Sequence, residues 1–233
     1  MEVNLGDKIT ALYSFPLLEN LEREQIIDLA GKVSIKKFKK GELIYKEHSA
    51  SDRSFFLFNG KVKLASTVQC GKTLIKQIIH QKDIFGEQIF SEGDRSEYSE
   101  ALENNTIIYS IPKENMFELV KVNKTFTDQL VKLIMTRMNN LDQRMKNFIF
   151  LKAKSRISEF LGRIGVQRGI KIGIDECLIN HGLSHKDIAY MTDTSRQTVA
   201  RVLGELKKEN LIHFSARKPS KILIRDINAL QAV

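Results

Sequence analysis

The amino-acid sequence predicts an α+β fold made of a β-roll, a long helix and a C-terminal winged helix-turn-helix. Three observations predict it. Short apolar runs separated by turn residues occupy positions 34–111, a stretch without Gly or Pro extends from Lys113 to Leu161, and two short helical patterns flank a tight turn near the C-terminus. Because 233 residues exceed the usual size of one domain, we expect several. The predicted domains are a β-roll over 1–125, a long helix over 126–151 and a winged helix-turn-helix over 152–233.

The composition argues against several classes of protein. A hydrophobic content of 42% supports a buried core and argues against a disordered chain. The first residues lack the pattern of a secretory signal, and no apolar run approaches the roughly 20 residues that span a bilayer. The two cysteines, Cys70 and Cys177, are far apart, which argues against a disulfide framework, a metal site or an iron–sulfur cluster. We therefore expect a cytoplasmic protein without a metal ion and without a membrane partner.

The positive charge is unevenly distributed along the chain. Residues 1–150 hold 22 Lys+Arg against 20 Asp+Glu, a net charge of +2, whereas residues 151–233 hold 15 against 8, a net charge of +7. The shorter segment carries most of the excess, which predicts a polyanionic partner for that segment alone. A basic surface that serves only solubility is the alternative.

Five apolar runs predict strands of the roll: ELIY, SFFLF, KVKLAS, LIKQII and IIYSI. The Asn59-Gly60 pair between the second and third run predicts a two-residue β-hairpin, because both central residues of a type I′ turn need a positive φ. Further turns are expected at Lys40-Gly41, Cys70-Gly71 and Glu92-Gly93. Ahead of the strands, LLENLEREQIIDLA predicts an amphipathic helix capped near Asn20.

The long middle stretch contains a heptad pattern, with apolar residues separated alternately by three and four positions. Charged or amide residues fill the positions between them. Such a seam can pack against its own domain, but here it lies between a β-unit and a basic domain, so we favour a homodimer that places two basic domains side by side. The predicted dimer seam consists of Val131, Ile134, Met138, Leu141, Met145 and Phe148.

The segment SHKDIAYMTDTSRQTVARVLGELKKENLI predicts two helices across a short turn, which is a helix-turn-helix. Ser184 and Asp187 form a candidate capping box at the start of the first helix. Thr194 or Ser195 caps the second helix. The second helix is expected to bury one apolar face, made of Val199, Val202, Leu203 and Leu206.

The polar residues of the second helix lie at its N-terminal end, the end that enters the DNA major groove in this motif. Arg196 can donate two hydrogen bonds to guanine, and Gln197 can bond adenine. Ser195 and Thr198 suit phosphate contacts at the positive end of the helix dipole. A solvated amphipathic helix is the alternative. The residues predicted to contact DNA in and around the motif are Ser184, Thr194, Ser195, Arg196, Gln197, Thr198 and Arg201.

The C-terminal segment LIHFSARKPSKILIRDI predicts two strands around a basic loop, the wing of the motif. Arg217, Lys218 and Lys221 in this loop would neutralise phosphates without reading the base sequence. A surface hairpin without a partner is the alternative.

The order of a β-roll, a long helix and LSHKDIAYMTDTSRQTVARVLGELKKENLI resembles the bacterial cyclic-AMP receptor protein/fumarate-nitrate regulator (CRP/FNR) family of transcription regulators, over nearly the whole chain. The segments KGELIYKE, SFFLFNGKVKL and DIFGEQ are similar to its cyclic-nucleotide-binding-like roll. The resemblance implies a homodimer that binds palindromic operators and contacts RNA polymerase. Gln197 stands in place of the more usual Glu, which implies an altered half-site. Asp193 replaces a frequent Gly, and aspartate tolerates the left-handed geometry of the turn.

In the resembled family the roll can hold cyclic AMP, with the phosphate after the Gly-Glu pair and on an Arg-Ser pair further along. An ungapped count from Gly86 reaches Glu97-Tyr98, and Arg95-Ser96 lies two residues early. The family's Thr-Ser pair that meets adenine corresponds to Leu141-Asp142. Both departures argue against cyclic AMP, and the effector stays unassigned, with no cofactor predicted. The candidate pocket residues are Gly86, Glu87, Arg95, Ser96, Tyr98, Leu141 and Asp142.

Other sensor chemistries and enzyme chemistry find less support in the sequence. Residues 1–30 contain no cysteine for an iron–sulfur cluster, and Cys70 or His80 as a haem ligand is less expected than a structural role. No nucleophile–base pair or phosphate loop predicts an enzyme. The favoured function is a sequence-specific DNA-binding regulator. The alternative is a small-molecule-binding regulatory subunit that acts on a protein partner.

Overall fold

The computed structural model describes residues 4–67, 73–179, 183–215 and 221–231. The chain divides into two compact units, Met1–Arg137 and Met138–Val233. The first unit contains two β-sheets and the second contains a third.

Within the described residues of the first unit, eight strands build the roll. They are β1 Ser34–Phe38, β2 Leu43–Tyr45, β3 Arg53–Asn59, β4 Val62–Thr67, β5 Thr73–Ile79, β6 Ile84–Phe85, β7 Tyr98–Ala101 and β8 Thr106–Pro112. All pairings are antiparallel, and the strand orders are β1-β8-β3-β6 and β2-β7-β4-β5. The predicted roll is confirmed, and each of the five apolar runs overlaps one of its strands.

An aromatic stack fills the interior of the roll. The ring of Phe55 lies 5.3 Å from that of Tyr45 and 5.2 Å from that of Phe85, measured between centroids. These residues belong to a buried cluster with Leu57 and Val62, so side chains from both sheets share one core. Such stacked pairs add about 0.5–1.5 kcal/mol each beyond the area that they bury.

The Asn59-Gly60 pair does not close a β-hairpin, and that prediction was wrong. Although β3 ends at Asn59 and β4 begins at Val62, the two strands belong to different sheets. Of the pair, only Gly60 has a left-handed backbone, with a φ of 97°, whereas a type I′ turn requires both. A Cβ at Gly60 would lie 2.5 Å from the Thr106 Oγ1. The pair therefore carries the chain from one sheet to the other, in close contact with β8.

We expect Gly60→Ala to destabilise the first unit more than Gly41→Ala does. Both glycines have a left-handed φ, but a Cβ at Gly41 meets nothing within 4 Å, so that change costs only backbone strain of about 1–2 kcal/mol. At Gly60 the clash with Thr106 raises the loss to about 3 kcal/mol or more. Denaturant unfolding measures both losses. Equal losses would show that Thr106 moves aside freely.

Three helices pack against the roll: α1 Leu5–Tyr13, α2 Arg23–Lys32 and α3 Lys113–Val122. Leu12, Leu29 and Met116, one from each helix, share a buried cluster with Phe56 of β3. The cap predicted near Asn20 is wrong. The N-cap of α2 is Glu22, whose backbone N–H donates to the Gln25 Oε1 at 3.1 Å.

The predicted long helix is confirmed as α4, Lys124–Phe150, and a further helix follows as α5, Ala153–Arg168. Asn123 separates α3 from α4, because its Oδ1 accepts a hydrogen bond from the Phe126 N–H at 2.9 Å and so caps the new helix. No helix in the described part of the chain is long and apolar enough to cross a membrane.

The second unit carries the small sheet and the two helices of the predicted motif. Its strands are β9 Ile170–Lys171, β10 Cys177–Ile179, β11 Ile212–Phe214 and β12 Ile222–Ile224, in the order β11-β12-β10-β9. Its remaining helices are α6 His185–Met191, α7 Arg196–Lys208 and α8 Ile227–Gln231. The predicted winged helix-turn-helix is confirmed, since β11 and β12 pair directly after α7.

Candidate nucleic-acid interface

The first helix of the motif, α6, begins at the predicted capping box. The Ser184 Oγ accepts from the Asp187 N–H at 3.2 Å, and the Asp187 Oδ2 accepts from the Ser184 N–H at 2.9 Å. The Ser184 hydroxyl also donates to the Asp187 Oδ2. The capping box is therefore confirmed, and the Ser184 side chain serves the helix start.

The turn of the motif depends on one left-handed residue. Asp193 has a φ of 51°, as expected for an aspartate in place of a frequent glycine. The Thr194 N–H then donates to the Ala189 carbonyl at 2.8 Å, which closes the turn. Thr194 is half-buried and lies directly before Ser195, the N-cap of the second helix.

The second helix, α7, is capped by Ser195, whose Oγ accepts from the Thr198 N–H at 3.0 Å. The hydroxyl groups of Ser195 and Thr198 also lie 2.8 Å apart. The predicted apolar face is buried as expected: Val199, Val202, Leu203 and Leu206. Burying such side chains contributes roughly 1.5–3 kcal/mol each and orients the helix on its domain.

The polar groups at the start of α7 face solvent. Arg196, Gln197 and Arg201 are all exposed. Arg201 pairs with Glu205 one turn further along, and its side chain stays 63% exposed. Because an exposed i,i+4 pair contributes little to stability, the guanidinium group is readily available to another partner. The first two turns of α7 thus present two arginines and an amide that can form directional hydrogen bonds.

The predicted wing is only partly described. Arg217 and Lys218 lie outside the described residues. Lys221, directly before β12, is half-buried, and its N–H donates to the Ser215 Oγ at 3.0 Å. The backbone of Ser215 and Lys221 is joined at 2.9 Å, which closes the base of the loop.

Two arginines outside the motif hold its turn, and the sequence analysis missed both. Arg144, near the end of α4, donates to both carboxylate oxygens of Asp193, at 2.7 and 3.1 Å, and to the Tyr190 carbonyl at 2.7 Å. Arg156, on α5, donates to the carbonyls of Thr192 and Asp193, each at 2.9 Å. The only sequence signal for these contacts is the aspartate at position 193, and a single aspartate does not indicate which basic residue pairs with it.

The predicted effector-pocket residues of the roll are partly brought together. Arg95 is buried, donates to the carbonyls of Gly86 and Arg53, and lies 4.3 Å from the centre of the Tyr45 ring. A Cβ at Gly86 would approach the Arg95 Nη1 to 2.9 Å, so the guanidinium group needs a glycine there. Arg95 is accordingly part of the aromatic stack inside the roll.

Acidic groups beside the stack are also paired. Glu97, which occupies the position where the ungapped count expects Arg, accepts from the Tyr45 hydroxyl at 3.2 Å and pairs with Lys76. Burial raises the pKa of the Tyr45 hydroxyl above its usual range, and the negative charge of Glu97 raises it further. Glu87 pairs with Arg137 of α4 within the first unit.

The remaining predicted pocket residues have different surroundings. The Ser96 Oγ accepts from the amide of Gln88 at 2.6 Å, and the Tyr98 ring lies 5.6 Å from the ammonium group of Lys63. Leu141 and Asp142 lie on the part of α4 that belongs to the second unit, and both are exposed.

The predicted seam residues form an exposed apolar stripe on α4. Each is between 40% and 59% exposed, with Ile134 the least and Met145 the most exposed. Met135 and Ile149, which the sequence analysis did not assign, extend the stripe.

Comparison with known families identifies both units. A model of the cyclic nucleotide-binding domain matches residues 35–123, and a model of the Crp-like helix-turn-helix domain matches residues 155–233. The two matches follow each other in the order of the roll and the winged motif.

Similar proteins cover nearly the whole chain. The CRP-like cAMP-activated global transcriptional regulator of Mycobacterium tuberculosis is 21% identical over 215 residues, 92% of this chain and 94% of that protein. The anaerobic regulatory protein of Bacillus subtilis is 23% identical over 211 residues, 90% and 87% of the two chains. The structure of FixK2 from Bradyrhizobium japonicum is 18% identical and covers 86% of this chain and 96% of its own, with a TM-score of 0.76, which shows a shared fold. From its roll, its winged helix-turn-helix and these matches, the chain belongs to the CRP/FNR family of transcription regulators.

Proposed function

We propose that this protein is a sequence-specific transcription regulator that reads DNA with the N-terminal end of α7. One observation carries the proposal: Arg196 and Gln197 are exposed at the start of a helix whose opposite face is buried. This arrangement suits insertion into a major groove, because the helix is held rigidly while its hydrogen-bonding groups stay free to meet base edges.

Contacts to the DNA backbone would come from residues around the helix start. The Thr194, Ser195 and Thr198 hydroxyls lie at the positive end of the α7 dipole, where a phosphate is favoured. The Ser184 hydroxyl, engaged in its capping box, would contribute from the start of α6. The wing residues Arg217, Lys218 and Lys221 would add cations. The net charge of +7 over 151–233 supports a polyanionic partner for this part of the chain.

The proposal includes a homodimer formed through the seam. Eight large apolar side chains are exposed along one stripe of α4, far more than isolated surface residues would give. The same stripe of a second copy could bury these side chains, since a two-fold symmetric contact brings identical patches together. A symmetric dimer would offer two recognition helices to half-sites one helical turn apart, about 34 Å, and so match a palindromic operator.

The test is selection of binding sites from randomised duplex DNA by the full-length protein. We expect a palindromic consensus, with affinity for it at least about 1000-fold above affinity for random duplex at physiological salt. Raising the salt from 50 to 200 mM should weaken both, because phosphate contacts release counterions. Recovery of no consensus would contradict sequence-specific binding, and binding without salt dependence would contradict the basic interface.

Other parts of the proposal concern partners and the effector. RNA polymerase is the protein partner that a transcription regulator needs, and the cytoplasm is where both DNA and polymerase are found.

We propose that the effector is not cyclic AMP. Arg95 already donates to two backbone carbonyls, and Glu97 places a carboxylate beside Tyr45 of the aromatic stack, where it would repel a phosphate. The alternative of a regulatory subunit that docks on a protein gives no role to Arg196 and Gln197 at the helix start.

A further inference from the structure

The turn of the helix-turn-helix is connected to the seam through the two arginines that hold it. Arg144 lies on α4 between the seam residues Leu141 and Met145. The guanidinium carbon of Arg156 lies 5.5 Å from the centre of the Phe148 ring, and Phe148 is itself a seam residue. Each arginine thus contacts the turn on one side and adjoins the seam on the other.

We propose that Arg144 and Arg156 are positioning residues that set the orientation of the recognition helix α7 from the seam, and that the Arg144–Asp193 pair is the decisive contact. The inference rests on the proposed function, since orientation matters only if α7 reads DNA. The inference goes beyond the proposed function because it identifies the side chains that connect the seam to the recognition helix α7.

The identity of residue 193 supports this role. With a φ of 51°, the position would be least strained as glycine, and asparagine would tolerate it as well as aspartate does. Neither alternative could form the charged fork that Asp193 makes with Arg144. Aspartate at this position is therefore explained by its ion pair, and the turn geometry alone does not require it.

The Arg144–Asp193 ion pair lies in surroundings where it can fix the conformation of the turn. The side chains of Arg144 and Asp193 are only 16% and 23% exposed, so water and salt screen them less than a surface pair. A two-pronged arginine–carboxylate contact fixes direction as well as distance. Arg156 holds the backbone of the same turn at the Thr192 and Asp193 carbonyls. Together the two arginines leave the turn little freedom to rotate.

A fixed turn has a measurable consequence on DNA. In a dimer, the two recognition helices fit successive major grooves only at one separation and one mutual angle. Loosening the turn would allow α7 to tilt, so the protein would accept half-sites at several spacings. Affinity for the best site would fall, because the freed helix must be ordered again on binding.

The experiment uses the full-length protein and the palindrome selected by the wild type. Fluorescence anisotropy gives the affinity for that palindrome, for versions with the half-sites moved by one or two base pairs in either direction, and for random duplex. We expect Arg144→Gln and Asp193→Asn each to lose about tenfold on the best spacing. Affinity for random duplex should change less than twofold, and the preference for one spacing should flatten. The double variant should be no worse than Arg144→Gln alone, because both changes remove the ion pair and Arg144→Gln also removes the hydrogen bond to the Tyr190 carbonyl.

Two controls separate orientation from folding and from charge. Asp193→Gly keeps a residue suited to the left-handed turn and removes the carboxylate, so it should melt no lower than Asp193→Asn and still show the flattened spacing preference. Lys146→Gln removes one positive charge from an exposed position of the same helix and should match the wild type.

The outcomes are distinguishable. A wild type that selects no consensus contradicts the proposed function and the positioning role together. A wild type with a strong spacing preference that persists in Arg144→Gln and Asp193→Gly contradicts the positioning role alone. Equal effects of Lys146→Gln and Arg144→Gln would assign the loss to charge, and would also contradict it.

Discussion

Met138→Asp in the seam is expected to convert a dimer into a monomer and to lower affinity for a palindromic operator by at least about 100-fold. Met138 is 49% exposed and lies in the middle of the seam on α4. In a two-fold contact the change would place two carboxylates in an apolar interface, where charge is costly unless it is paired. Loss of the second half-site then removes the gain of about 10²–10⁴ that linkage of two binding modules provides.

Light scattering after size-exclusion chromatography gives the mass of the variant, and anisotropy on the selected palindrome gives its affinity. Asn139→Asp is the matched control, because it adds the same charge at the next position of the same helix, outside the seam. The control should remain a dimer with unchanged affinity. A dimeric Met138→Asp protein, or a monomeric wild type, would show that the seam does not join two copies.

Arg196→Ala is expected to cost about 1–3 kcal/mol on the operator and to relax the preference at one base pair in each half-site. Arg196 is exposed in the first turn of α7, where its two donors can bond the O6 and N7 atoms of one guanine. Alanine retains helix propensity, so the loss should come from DNA contact and should leave the melting temperature nearly unchanged.

The measurement compares affinities for the selected operator, for all single-base variants of one half-site and for random duplex. Lys208→Ala, at the opposite end of the same helix, removes an exposed positive charge far from the predicted contact and serves as the control. If Arg196→Ala weakens every sequence equally, then Arg196 contacts a phosphate and carries no sequence information.

The helix-turn-helix is the region where sequence and structure agree most closely. Its signals are local: the capping box joins Ser184 to a residue three positions away, and the cap of α7 joins Ser195 to Thr198. The buried face of α7 follows from helical periodicity alone. The left-handed turn at Asp193, whose φ is 51°, follows from the family resemblance, in which this aspartate stands in place of a frequent glycine.

In the roll, the strands could be predicted from the sequence, but their pairing and the contacts of buried residues could not. Each apolar run became a strand, but Asn59-Gly60 connects two sheets, because the partner of a strand is chosen by packing across the whole roll. Arg95 is a comparable case. The family resemblance places it in a candidate effector pocket, and its position among two carbonyls and two aromatic rings depends on residues up to 50 positions away. Such neighbours leave no periodic signal in the sequence.

The sequence by itself determined the order of the domains, the capped helices of the reading motif, the basic character of the C-terminal segment and the apolar stripe of the long helix. These properties depend on residue type and on spacings of a few positions. Only the tertiary structure decided that Arg144 and Arg156 hold the turn from 36 to 49 residues away, and that Arg95 is enclosed in the roll. The physical reason is that an ion pair or a stacked cation requires close approach in space, and distance along the chain does not specify which residues approach.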